Sequence, residues 1–229
     1  MSREGGGSLL LRVALRLRVG DPRPILASRE SMADLDDAAL AVAAAAGDPD
    51  AHAAIWDRYS ALVRRILVRG IGGGSDVEDL VQDVFMRFYS SRKLLRDPDA
   101  LRSFLFGIAI RAAATELRGR RIRSWLRLTR HGVVDDVEAP ETDPNARLAV
   151  VRLYAILDGL NAKSRLAFVL HFIEGWELSQ VAAAFDVSLA TIKRRLSRAY
   201  MHVALRAQND DLLSGYLVET SEPVRKGSR

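Results

Sequence analysis

LSQVAAAFDVSLATIKRRLSRAY, residues 178–200, holds two helical repeats separated by three residues that suit neither. Leu178 to Phe185 reads as a short helix, Asp186-Val187-Ser188 as a tight turn, and Ser188 as the cap of the helix that follows. At 100° per residue, Ile192, Leu196, Ala199 and Val203 fall within about 60° of one another, while Thr191, Arg194, Arg198 and His202 gather on a separate face. This is a helix-turn-helix pattern. Ala182 sits where the two helices approach closely, Val187 plugs the turn and Ile192 anchors the second helix. Asp186 takes a position that favours glycine, and Asp tolerates the left-handed backbone such a turn needs. Lys193, Arg194, Arg195 and Arg198 place four cations and no acid on residues 187–200. Arg194 and Arg198, one turn apart, suit base edges in a major groove, and Lys193 and Arg195 flank them toward phosphates. A basic solvated helix on an ordinary bundle is the competing reading. The coincidence of turn chemistry, small-residue contact and an acid-free outer face favours DNA.

Working outward, the 229 residues carry a net charge of +5 and no cysteine, which excludes a disulfide framework and any thiolate metal site. The histidines (His52, His131, His171, His202) are scattered without ligand spacing, so no metal or cofactor is expected. No apolar run approaches the ~20 residues that span a bilayer, so no membrane insertion is expected and the chain reads as cytoplasmic. IGGGSD, residues 71–76, lacks the lysine and preceding strand of a phosphate loop, and no nucleophile and base can be paired, so the chain does not read as an enzyme.

From Asp34 onward, apolar residues recur at helical spacing with Gly or Pro only at segment ends, which predicts an all-α protein. A basic stretch gives way to an acidic, proline-containing one between Ser124 and Arg147. That shift predicts two small helical domains, residues 34–123 and 148–208, joined by a flexible linker over 124–147. Residues 1–33, including the arginine-rich LLLRVALRLRV at 9–19, read as a disordered extension, and 209–229 as a tail.

In the first domain, SDVEDLVQDVFMRFY, residues 75–89, opens with a capping box of Ser75 and Glu78. Val77, Val81, Val84, Phe85 and Phe88 form its core stripe. The opposite face carries Asp79, Gln82, Asp83 and Met86 with Leu80 beside them, a mixture of acid, amide and exposed apolar groups that suits docking to a protein. The next helix has two apolar faces. Leu101, Phe104, Leu105, Ile108 and Ala112 make one, and Phe106, Ile110, Ala113 and Leu117 the other. Between them runs a strip of Ser103, Gly107, Arg111, Ala114 and Arg118, extended by Arg120, Arg121 and Arg123. Such a strip admits a nucleic-acid backbone and neutralises its phosphates through Arg111, Arg118 and Arg121. A helix buried between neighbours, with snorkelling arginines, fits the pattern nearly as well.

DVEDLVQDVFMRFY, then LRSFLFGIAIRAAATELRGRR, then LNAKSRLAFVLHFIEGWELSQVAAAFDVSLATIKRRLSRA, resemble in order an extracytoplasmic-function sigma factor, from Ala38 to Val203. The resemblance implies that the chain binds core RNA polymerase and directs initiation at particular promoters. It implies that Asp79, Leu80, Gln82 and Asp83 dock on the polymerase clamp, and that the loop 90–99 and the helix after it handle the melted minus-ten strand. Thr191, Lys193, Arg194, Arg195 and Arg198 then belong to the helix that reads the minus-thirty-five element, and an anti-sigma factor is an implied partner. Two departures fall in the melting helix. The family's Trp-Leu-Tyr stands here as Phe104-Leu105-Phe106, and its Ala-Arg-Asn as Ala109-Ile110-Arg111. An autonomous helix-turn-helix regulator and a sigma-like antagonist are the alternatives.

Overall fold

The structure, a computed structural model, describes residues 32, 34–73, 77–127 and 144–214, all of it helix, turn and loop; among the described residues there is no strand. Among the described residues the first half holds α1 (Asp37–Ala45), α2 (Pro49–Ile71), α3 (Val77–Ser91) and α4 (Leu101–Arg127), with short 3-10 turns at Arg92–Leu94 and Pro98–Ala100. Asp36 caps α1 by accepting from the Ala39 amide at 2.8 Å, and Asp48 caps α2 ahead of a first-turn proline whose missing N–H costs nothing there. α2 ends where Gly72 takes a left-handed φ of 87°. The second half comprises α5 (Pro144–Leu157), α6 (Ala162–Phe168), α7 (Leu178–Phe185) and α8 (Leu189–Gln208). Asn161 caps α6, which runs on into a π turn over Val169–Ile173 in which the Glu174 amide reaches back to the Val169 carbonyl at 2.9 Å.

The stripe expected on α3 is the one that packs: Val77, Val81, Val84, Phe85 and Phe88 are all buried. Each large side chain removed from water in this way contributes ~1.5–3 kcal/mol before ordering costs. Phe88 meets Phe104 of α4 edge-on at 6.1 Å, and Trp56 of α2 lies 4.6 Å from Phe85. Both apolar faces of α4 are occupied as well. One packs on α2 and α3; the other receives α6 and α7, so a single core runs from Leu40 in α1 to Leu196 in α8.

Several expected boundaries shift. Met32, placed by sequence in the extension, is helical and buried in the first core, its carbonyl accepting from the Leu35 amide at 3.2 Å. Residues 1–31, and Ser75 with its capping box, lie outside the described residues. α4 continues to Arg127, past the expected start of the linker at Ser124, and Glu116 bridges Arg120 and Arg123 along its exposed side. α5 begins at Pro144, inside the expected linker; residues 128–143 lie outside the described part. The first residues of the tail are ordered: Asp210 pairs with Arg152 at 2.9 Å, and Leu213 is buried against Ala149 and Ala207. Residues 215–229 lie outside the described residues.

Candidate nucleic-acid and protein interfaces

The helix-turn-helix forms as its sequence requires. Glu177 and Gln180 close a capping box at the start of α7, the Glu177 amide donating to Gln180 Oε1 at 3.0 Å. α7 ends at Asp186 with φ 51° and ψ 52°, the one non-glycine residue with positive φ among the described residues. The Val187 amide then returns to the Ala182 carbonyl at 3.1 Å, and Ser188 Oγ accepts from the Thr191 amide at 3.3 Å to start α8. Ile192, Leu196, Ala199 and Val203 are buried as one stripe.

That stripe fixes what α8 shows outward. Lys193, Arg194 and Arg198 are exposed. Thr191 is half-buried, its hydroxyl 2.9 Å from Ser188 Oγ, so it holds the cap. Arg195 is half-buried too: its guanidinium lies over the Phe185 ring at 5.3 Å, and Nη1 is shielded without a hydrogen-bond partner. Beyond Arg198 the same face turns apolar, with Met201 and Leu205 exposed.

On α3, Asp79, Gln82 and Met86 are exposed, Met86 at 65 %. Asp83 is half-exposed in an ion pair with Arg87 one turn on, at 2.7 Å. Leu80 corrects the expectation of an exposed apolar group. It stands three residues after Val77 and four before Val84, at the edge of the buried stripe, and packs against the core.

The strip on α4 divides. Arg111, Arg118 and Arg121 are exposed, whereas Gly107 and Ala114 are buried. A Cβ on Gly107 would stand 3.2 Å from the Ala184 carbonyl oxygen of α7, and the Arg111 guanidinium folds back to a similar distance. The buried-helix reading therefore accounts for the small residues of the strip, and the nucleic-acid reading retains only its cations. Phe106, at the family's tyrosine position, is fully buried between Tyr59 at 5.8 Å and Trp176 at 4.9 Å, a site with no need of a polar edge.

The sequence did not signal the polar seam where the halves meet. Arg165, 3 % exposed, reaches from α6 to the end of α2, Nε donating to the Gly70 carbonyl at 2.8 Å and Nη2 to the Ile71 carbonyl at 2.9 Å, while Nη1 pairs with Asp158. Burial pulls its guanidinium below the usual arginine value, and Asp158 opposes that shift. The Glu174 side chain, 1 % exposed, is gripped from α2 by Arg65 at 2.8 Å and Arg69 at 2.7 Å. Tyr154 donates to the Arg69 carbonyl at 2.9 Å, and burial pushes its hydroxyl up to about 12. A Cβ on Gly70 would meet Leu166 Cδ2 at 2.6 Å, so any larger residue there forces the Leu166 side chain of α6 to move.

Among the described residues no group of side chains could hold a metal ion, and no helix is long and apolar enough to cross a membrane.

Residues 55–123 match sigma-70 region 2, and residues 151–203 match sigma-70 region 4. RNA polymerase sigma factor CnrH of Cupriavidus metallidurans is 31 % identical over 173 residues, spanning 71 % of this chain and 90 % of that protein. The ferric citrate uptake sigma factor FecI of Escherichia coli is 29 % identical over 154 residues, spanning 66 % and 87 %. The solved structure of CnrH with the cytosolic domain of CnrY superposes with a TM-score of 0.54 at 26 % identity, covering 76 % of this chain and 98 % of that one. A second, the sigma factor RpoE with the anti-sigma factor NepR from Bartonella quintana, has a TM-score of 0.51 at 22 % identity, covers 69 % and 94 %, and speaks for the fold alone. Regions 2 and 4 in this order, with the helix-turn-helix in the second, define the sigma-70 class. The chain belongs to its extracytoplasmic-function family of RNA polymerase sigma factors.

Proposed function

We propose that this chain docks on core RNA polymerase through the outer face of α3 and directs it to promoters read by α8. The observation that carries this is the pairing in one chain of a sealed α3 stripe, leaving Asp79, Gln82, Asp83 and Met86 outward, with a helix-turn-helix whose outward face is Arg194 and Arg198. Leu80 contributes from the edge of the α3 stripe. The two arginines contact base edges of the upstream element, and Lys193 contacts phosphate. Thr191 shapes the helix-turn-helix, and Arg195, whose guanidinium lies over the Phe185 ring, reaches a phosphate by swinging off that ring. Arg111, Arg118 and Arg121 line the side of α4 facing the melted strand, and Arg111, standing where the family has asparagine, alters the preferred minus-ten sequence. The chain acts by binding rather than catalysis, in the cytoplasm, where the duplex and the polymerase are. CnrH, a relative of the same family, has been solved with the cytosolic domain of CnrY bound, which supports a protein partner, of anti-sigma type, here.

Reconstitution tests the reading. Purified core polymerase with this chain, given a pool of random-sequence templates, is expected to yield transcripts that share an upstream and a downstream element. Transcripts without shared elements, or none above core enzyme alone, refute it.

A further inference from the structure

We infer that Lys193 is an acylation site, modified by a small acyl phosphate that seats among the cations of α8, and that the modification weakens the grip of α8 on DNA. The chain meets anions almost entirely with arginine. Of its 34 lysines and arginines four are lysine, Lys93, Lys163, Lys193 and Lys226, and Lys193 alone lies on α8. A guanidinium stays protonated in water and is a poor nucleophile, whereas a lysine amine accepts an acyl group and loses its charge with it. Lys193 is thus the one cation on the outward face of α8 that acyl chemistry can remove, and it stands beside two, Arg194 and Arg198, that it cannot.

The surroundings favour the reaction. Lys193, Arg194, Ser197 and Arg198 are all exposed, α8 contains no acid, and none of the three cations is ion-paired among the described residues. Lys193 and Arg194 stand four and three residues before Ser197, one helical turn away, and Arg198 directly follows it. The short Ser197 side chain leaves a gap bordered by three long cationic ones, with room for a dianion of phosphate size and a hydroxyl to bond it. At ~7 Å each and ~150 mM salt, Arg194 and Arg198 raise the local concentration of such a dianion about fivefold. The free amine of Lys193 attacks the acyl carbon, and the bond from that carbon to the phosphate oxygen breaks. Inorganic phosphate leaves with one of the former ammonium protons, the other passes to solvent, and a neutral amide stands where a cation was. The amine projects from the helix into water, so α8 stays folded throughout. The acylation stands on α8 alone; its effect on DNA rests on the function proposed above.

The full chain incubated with acetyl phosphate tests the site, with early acetylation rates read by peptide mass spectrometry. Lys163, also exposed but on α6, is the internal reference. The Lys193 rate relative to Lys163 is expected to fall about fivefold in the double variant Arg194→Ala, Arg198→Ala, and by a similar factor in wild type when salt is raised to ~1 M. No acetylation at Lys193, or a ratio that the double variant and salt leave unchanged, overturns the site. The DNA arm compares unmodified protein with protein carrying Nε-acetyllysine at position 193, installed during translation, on a mixed-sequence duplex. Loss of one phosphate contact is expected to lower affinity about fifteenfold at ~50 mM salt and about fivefold at ~150 mM, with a salt slope smaller by about 0.9. Equal affinities, binding by neither protein, or a loss that does not shrink with salt overturns the effect on DNA. Lys193→Arg, judged against its own untreated affinity, is expected to bind the duplex alike before and after acetyl phosphate treatment; weakening as large as that of treated wild type overturns the assignment to Lys193. These measurements need no polymerase and the transcription assay needs no acyl donor, so a failure of the acylation and a failure of the sigma-factor reading are told apart.

Discussion

Replacing both Asp79 and Asp83 with lysine separates docking from folding. Asp83 makes an exposed i,i+4 pair with Arg87 at 2.7 Å, an interaction that stabilises a helix by about 0.3–0.5 kcal/mol and that inverts to a similar repulsion when the sign changes. Asp79 lies in the first turn of α3, where an anion gains about 0.3–1 kcal/mol from the helix dipole and a cation loses it. The folding cost is therefore about 1–3 kcal/mol, a fall of about 2–4 °C in melting temperature for each kcal/mol in a chain of this length. Docking suffers more. Like charges set against each other across an interface cost several kcal/mol, and each 1.4 kcal/mol is tenfold in affinity, so binding to core polymerase should fall by about a hundredfold or more. Circular dichroism melting and co-sedimentation with core enzyme, run on the same preparation, check the two numbers. A double variant that melts a few degrees early and binds core polymerase like wild type refutes the assignment of α3 as the docking face. One that no longer folds refutes the partition of energies.

Arg194→Ala and Arg198→Ala are expected to erode discrimination between promoter and scrambled duplex by about 1–3 kcal/mol each, whereas Lys193→Ala weakens both duplexes alike and reduces the salt slope by about one unit; titrations at several salt concentrations distinguish them. Asp186→Gly should leave stability within about 1 kcal/mol of wild type, because glycine accepts the left-handed turn at some entropic cost, while Asp186→Val should lose about 1–2 kcal/mol and with it upstream-duplex affinity. Tyr154 has its hydroxyl raised from 10.0 to about 12 in the fold, so its contribution is complete below pH 10 and drains away as pH rises toward 12, when the unfolded chain ionises first. Urea unfolding between pH 9 and about 11.5 should show that loss in wild type and a shallower one in Tyr154→Phe.

What the sequence disclosed was whatever depends on neighbours within a few residues. Asp186, Ser188 and the stripe from Ile192 to Val203 act over one or two helical turns, and the α3 stripe does the same, so periodicity and turn chemistry reveal them. The seam between the halves escapes that kind of reading, because Arg165 and its acceptor at Gly70 stand 95 residues apart. Nothing near either residue announces the other. One signal was available: α4 carries two apolar faces, and a helix with two such faces needs neighbours on both sides. The first half supplies one, so Phe106, Ile110, Ala113 and Leu117 already required a second partner. Leu80 went astray for a related reason, since a residue at the margin of a stripe is decided by how far the neighbouring helix leans over it.

The π turn over Val169–Ile173 gives chain length a role that side-chain identity does not have. Each residue of an α-helix advances the direction of its side chain by about 100°, and a π turn absorbs one residue more per loop than an α turn, so it resets the angular phase of whatever follows. Glu174 and Trp176 come directly after it, and they are the groups that meet Arg65, Arg69 and Phe106. Deleting one residue within the turn would swing Glu174 by about that same angle, out of reach of both arginines. The helix-turn-helix would be unaffected, because α7 starts afresh from its own capping box at Glu177. A single codon gained or lost there thus works as a clutch between the two halves, engaging or releasing them with every contact residue still in place.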